Sequence, residues 1–209
     1  MAGAARTAFA KHGFNLTYDR SYPVGTQDFS SILAEVKDTK AFAAFSYPPD
    51  TIAITENAQL HNFSPNVMYV GIGGAFPMFL DRFGASADTL LTHGGLDMSN
   101  ERTQAYIDRH VAVTGRRPDS AGSIVMYAAL QAMEEAIART GSLKGEDIAA
   151  EMKSGTFDTV LGEITLASQM MPNIFKAGQI RDGYVVGLGP TDVPGRGEFV
   201  MPKAPWPAR

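Results

Sequence analysis

The chain contains no cysteine. That excludes disulfides, thiolate nucleophiles and cysteine-ligated metals, and it is compatible with a reducing or an oxidising compartment. Histidine is nearly as scarce. His12, His61, His93 and His110 fall in four different predicted elements, with no HExxH or other paired spacing, so no metal site is expected. No apolar run approaches the length of a membrane span, and no membrane insertion is expected. Concentrated positive charge is missing too. The formal charge is −4, and Arg116-Arg117 is the only adjacent basic pair. Nucleic-acid binding needs clustered Lys and Arg, so it is disfavoured.

Signatures of bond chemistry are equally absent. Gly84–Asp88 (GASAD) lacks the final glycine of a GxSxG nucleophile elbow. There is no GxxxxGK[ST] phosphate loop. Glu134 and Glu135 are adjacent on a predicted helix and point in different directions, so they do not form a carboxylate pair. Gly71–Phe76 (GIGGAF) ends in Phe76 where a dinucleotide fingerprint has glycine, and no acidic residue is placed for a ribose. No catalytic residue and no cofactor are expected, and an enzyme on a flavodoxin-like or Rossmann sheet is disfavoured.

What remains is an ordinary globular composition, 44% hydrophobic and 19% charged over 209 residues, enough for one or two domains. The centre of the pattern is Asp28–Asp50. Asp28 is placed to accept from the first turn of a helix whose apolar face is Phe29, Ile32, Leu33 and Val36. Ala41–Ser46 is short and apolar without alternation, as expected of a parallel strand buried on both faces. It runs into Tyr47-Pro48-Pro49, which opens a second helix over Pro49–Asn62. Tyr47 therefore falls just beyond a strand's carboxyl end, where open α/β sheets bind ligands.

The same alternation extends in both directions. Ala2–His12 predicts a helix closed by Gly13, and Phe14–Tyr18 an alternating strand. Val67–Val70 predicts a strand running into the glycines of GIGGAF, which permit positive φ or close approach to a ligand. Those glycines read equally well as a turn that binds nothing. A short helix with face Phe76, Phe79, Leu80 and Phe83 precedes a strand over Asp88–His93. The fold class is α/β, a mostly parallel sheet with helices on both faces. Gly94-Gly95 has the character of a hinge. Ser99 is the expected cap of a helix with face Thr103, Tyr106, Ile107 and Val111. Pro118–Thr140 contains the longest helix, whose stripe Met126, Leu130, Met133 and Ile137 is expected to be core. A shorter helix over Glu146–Lys153 precedes short β segments from Val160 onward.

The run YPVGTQDFSSILAEVK (Tyr22–Lys37) with the strand ending in SYPPD resembles the second lobe of type I periplasmic solute-binding proteins. The Leu/Ile/Val-binding family of ABC importers is the group it is most similar to. The resemblance continues through VMYVGIGG, ADTLLTHGG, TGRRPDSAGSIVMYAALQAMEEAIARTGS, TFDTVLGEITL and PKAPWP, in the family's order. It implies an amino-terminally truncated chain whose first lobe is largely missing. Residues 1–93 would form the second-lobe domain, 94–160 the helical part of the first lobe, and 161–209 a hairpin and tail returning to the second.

By that resemblance the ligand-binding candidates are Ser46, Tyr47, Pro48, Gly71, Gly73, Gly74 and Phe76, with Tyr127 more loosely matched and equally readable as packing. Tyr47 matches a tyrosine that contacts ligand in the family. Read from its residues alone, it packs over the sheet edge with its hydroxyl in water. Amino-acid binders of the family carry a glutamate for the ligand's ammonium, and that position falls on Gly73. The departure points to a carboxylate, an aromatic acid or an amide rather than leucine, with the vacated space available to a ring beside Phe76. The resemblance also implies an ABC permease as partner and a periplasmic location for the complete protein. A ligand-sensing regulatory module on the same fold, of the amide-sensor type, is the alternative.

Overall fold

The computed structural model describes residues 2–167, 176–189 and 196–207. Of the predicted return segment 161–209, residues 168–175, 190–195 and 208–209 lie outside the described residues, as does Met1. The chain begins with α1 (Ala2–Lys11), which buries no residue. The strand expected over Phe14–Tyr18 does not form. The segment instead folds back along α1: the Phe14 N–H donates to the Phe9 carbonyl at 2.9 Å, the two rings meet edge-on, and Arg6 pairs with Asp19 at 2.6 Å. These local contacts leave Phe14 and Leu16 exposed.

The organised part starts at α2 (Ser30–Glu35), whose N-cap is Phe29 rather than Asp28; Asp28 Oδ1, one residue further out, accepts from the Ser30 N–H at 2.9 Å. Phe29, Leu33 and Val36 are buried. Strand β1 (Ala41–Ala43) leads into α3 (Pro48–Leu60), which begins one proline earlier than expected with Tyr47 as its N-cap. Strand β2 (Val67–Tyr69), a 3₁₀ turn over Ile72–Ala75 and α4 (Pro77–Phe83) repeat the unit, and β3 (Leu91–Gly95) closes the parallel run. β1, β2 and β3 pair in parallel, each strand separated from the next by a helix.

Beyond β3 the chain leaves this sheet for α5 (Glu101–Thr114), α6 (Ser123–Thr140), α7 (Gly145–Ser154) and the hairpin β4 (Thr156–Thr159)–β5 (Gly162–Thr165). It then returns as β6 (Lys176–Arg181) and β7 (Tyr184–Gly189), giving the order β1-β2-β3-β6-β7 with the last two pairings antiparallel. The crossing is tight. A Cβ on Gly95 would stand 2.6 Å from the Gly187 Cα and 3.1 Å from the Gly178 Cα, so three backbones meet where no side chain fits.

Three apolar clusters result. One unites the sheet with α2, α3 and α4 through residues such as Ile54, Met68, Phe79, Leu90 and Ile180, and includes Trp206 of the tail. A second gathers Leu96, Tyr106, Ile107, Ile124, Ala128 and Val160, and a third Ala132, Ala136 and Phe157. The expected methionine stripe of α6 is therefore not core: Met126 is 62% exposed, Leu130 55% and Met133 41%. Alanines 128, 132 and 136 form the buried face because their small side chains admit close packing against the hairpin and neighbouring helices. Asn100, not Ser99, caps α5, its side chain accepting from the N–H groups of Arg102 and Thr103, while Ser99 hydrogen-bonds Asp97. Val111, expected on the buried face, is 39% exposed.

Candidate functional site

The carboxyl ends of β1 and β2 meet above the first turn of α3. Ser46, 3% exposed, donates from Oγ to the Val70 carbonyl at 3.1 Å, and its Oγ lies 2.7 Å from Thr51 Oγ1. Thr51 in turn donates to the Tyr47 carbonyl, by its N–H at 2.8 Å and its hydroxyl at 3.0 Å. These bonds fix the strand-to-helix turn and leave the Tyr47 ring, 63% exposed, projecting from it. Gly71 has φ +69° and lies so close to Ser46 that a Cβ would fall 2.6 Å from the Ser46 carbonyl oxygen. Only glycine meets both demands at low cost. Its own carbonyl accepts from the Thr92 hydroxyl, and a Cβ on Gly74 would touch the same threonine at 3.0 Å.

Pro48, half-buried, and buried Gly73 complete the turn. A Cβ on Gly73 would lie 2.5 Å from Thr51 Cβ and 2.8 Å from Pro48 Cα. The space expected to be vacant there, for a ring beside Phe76, is thus filled by α3. Phe76 is half-buried at the N-cap of α4. Seven of the eight candidates therefore belong to one locus, Ser46, Tyr47 and Pro48 on one loop and Gly71, Gly73, Gly74 and Phe76 on the next. Tyr127 is placed elsewhere. Its ring packs 5.0 Å from that of Tyr106 on α5, a helix–helix contact.

Residues that sequence reading did not single out hold the locus in shape. Thr51 and Thr92 supply the hydroxyls just described. Asp50, 1% exposed, accepts from the Gly25 N–H at 2.8 Å and ties the 22–26 loop to α3. Burial, and secondarily the Asp50 charge, raise the Tyr22 hydroxyl pKa, with a Ser46 hydrogen bond opposing them. Ser120, ahead of α6, donates to the Ala75 carbonyl from its N–H at 3.2 Å and its hydroxyl at 3.4 Å. The available signal was local: hydroxyl residues and an aspartate in the first turn of a helix that follows a buried strand. A cleft of about 310 Å³ opens on the far side of Ser120, lined by Leu96, Asp97, Ile124, Glu163 and Lys176 among others. None of the eight candidates lines it.

No three His, Asp or Glu side chains converge to hold a metal ion among the described residues. Nor is any described helix long and apolar enough to cross a membrane. The arrangement offers hydroxyl-supported loops, backbone polar groups at strand ends and one exposed aromatic ring, which suit non-covalent capture of a small solute.

Such a lobe, an α/β sheet with its loops gathered at the strands' carboxyl ends and a return crossing to a second helical region, defines a class of ligand-binding proteins. The chain belongs to the periplasmic binding protein family, whose pattern it matches over residues 1–180. It is 26% identical over 162 residues to Leu/Ile/Val-binding protein homolog 7 of Brucella suis biovar 1, spanning 69% of this chain but 40% of that one. The fold is shared with a putative branched-chain amino acid ABC transporter protein from Silicibacter pomeroyi (TM-score 0.75, 19% identity, 96% of this chain and 57% of that one). It is shared also with a solute-binding protein from Rhodopseudomonas palustris BisB5 in complex with 3,4-dihydroxybenzoic acid (TM-score 0.65, 17% identity, 87% and 53%). The chain thus spans roughly half the length of these relatives or less.

Proposed function

We propose that this chain is part of an extracytoplasmic solute-binding protein that delivers a small organic acid or amide to an ABC permease. Residues 1–93 form the second lobe, 94–160 contribute helices to the first, with β5 still paired to β4 there, and the chain returns to the second from β6 onward. The solute lies against Tyr47 and the loops of Ser46-Pro48 and Gly71–Phe76, with no covalent step. Lobe closure around it selects the conformer that docks on the permease.

The observation that carries the ligand class is Gly73. Its surroundings leave no room for the glutamate expected of amino-acid binders, since even a Cβ would stand 2.5 Å from Thr51. Without that carboxylate, an amino acid's ammonium would lose its charge partner on leaving water, at a cost of several kcal/mol. A ligand with a carboxylate or amide and no ammonium avoids the cost. The 3,4-dihydroxybenzoic acid held by the Rhodopseudomonas palustris relative is of that class.

Isothermal titration of the longest protein that carries this chain tests the reading. A hydroxybenzoate is expected to bind at least about tenfold more tightly than leucine, a difference of about 1.4 kcal/mol or more. Tyr47→Ala is expected to weaken it by a further factor of about ten. Leucine binding tighter than every aromatic acid tried would overturn the proposal.

A further inference from the structure

Thr89, between α4 and β3, has φ +69°. Asn62 and Asp182 also lie at positive φ, but asparagine and aspartate visit that region at modest cost, whereas a β-branched residue is an outlier there. Such a backbone persists only where its surroundings over-determine it. Two of the bonds that hold Thr89 come from the tail or through a residue that grips it. The Ala204 N–H donates to Thr89 Oγ1 at 2.7 Å, and Gln179 Nε2 donates to the Thr89 carbonyl at 3.0 Å. Gln179 is fully buried. Its Nε2 also donates to the Val200 carbonyl at 2.8 Å, and its Oε1 accepts from the Val200 N–H at 3.0 Å.

We propose that residues 200–206 form a strap that opens as one unit over a sheet that stays folded, and that Thr89 leaves the left-handed region when it opens. The Thr89 N–H bond to the Ile180 carbonyl, at 2.8 Å, belongs to the sheet and remains, so the residue turns about an anchored amide. The other anchors of the strap are few. The Lys203 N–H donates to the Asn66 carbonyl at 2.8 Å, and the Trp206 indole to the Phe63 carbonyl at 2.7 Å.

Two features of the closed strap are relieved by opening. One is the Thr89 backbone. The other is the Lys203 ammonium, buried with no ion pair among the described residues. The main-chain groups of the strap find water when it lifts. Val200 and Met201 are already exposed, so Trp206 is its main apolar anchor. That balance is the one expected of a local opening rather than of a core element. The strap lies at the amino-terminal ends of β2 and β3, away from Tyr47, and the inference does not depend on the ligand reading.

Native-state hydrogen exchange at low urea, on the longest protein that carries this chain, tests it. The amides of Val200, Lys203 and Ala204 and the Trp206 indole N–H are expected to exchange together. They should do so at least about tenfold faster than the slowest amides of β2 and β3, and with a weaker dependence on urea. Thr89→Ala and Thr89→Gly both lack the hydroxyl, and only glycine is at ease at φ +69°. The strap groups of Thr89→Gly are expected to exchange about three- to tenfold more slowly than those of Thr89→Ala, after the looser open state that glycine allows. In Lys203→Met the same groups should slow, and their speeding would overturn the proposal. Strap groups that exchange only with β2 and β3, at one rate and one urea slope, would overturn it too. So would equal strap exchange in the two Thr89 variants, which would mean that residue 89 does not move with the strap.

Discussion

Lys203 is 4% exposed, yet among the described residues it has no ion-pair partner. Its ammonium lies 3.5 Å from the Trp206 ring centroid and donates to the Ala204 carbonyl. Burial lowers its pKa to about 8. The folded state therefore binds its proton less tightly than the unfolded state, whose lysine keeps its ordinary value. Below pH 8 both states are charged and the full penalty, about 3 kcal/mol before the ring's contribution, is present. Between pH 8 and the ordinary value the unfolded state holds more protons, so stability rises with pH. The cation–π contact offsets about 1–2 kcal/mol, so burial wins. Lys203→Met should raise the urea midpoint at pH 7, and its advantage should shrink towards pH 10. An unchanged difference across that range would show that the titration does not matter. Gly73 teaches a related lesson about legibility. Its identity, and the missing carboxylate, were readable from sequence, but the filling of its space by Thr51 and Pro48 was not. That contact depends on how α3 packs across the strand ends.

At the scale of elements, α6 is the instructive case. Asp119 organises its start: one carboxylate oxygen accepts from the N–H groups of Ala121, Gly122 and Ser123, and the other from the Ser123 hydroxyl. Asp119→Ala should cost about 1–2 kcal/mol in urea unfolding and should speed exchange of the Ser120 amide, which is bonded to Ala75. Unchanged exchange at Ser120 would separate the cap from that contact. Helix existence was legible here through period and glycine stops, Gly115 and Gly141 both closing helices in the left-handed region. The buried face was not, because ranking by side-chain size favours methionine and leucine over the alanines that pack most closely. Phe14–Tyr18 failed for another reason. Alternation announces an apolar side but not a neighbouring strand, and α1 supplied local contacts in its place. The order α2–β1–α3 was legible, but the strand expected over Ala41–Ser46 and buried on both faces is only Ala41–Ala43, with both alanines exposed, because it is the edge of the sheet.

Across the whole molecule, stability is unevenly spread. The sheet cluster holds most of the large buried side chains, whereas α1 buries none. Native-state hydrogen exchange should find the amides of β2 and β3 slowest and those of α1 near the rate of free peptide. Equal protection in the two regions would contradict the cluster assignment. The parallel half of the sheet was readable from element order, and the return of the chain only from the family resemblance. The meeting of Gly95, Gly178 and Gly187 was not, since it joins residues more than eighty positions apart. The tail carries this long reach further. Trp206 donates to the Phe63 carbonyl at 2.7 Å, and the Ala204 N–H donates to Thr89 Oγ1 at 2.7 Å. During synthesis, then, residues 1–95 leave the ribosome without the strand that covers β3 or the indole that seals their core. At ordinary elongation rates they wait on the order of ten seconds for both. Over that interval the nascent chain presents an open β3 edge, and a chaperone able to hold it extended has its opportunity before Trp206 is made.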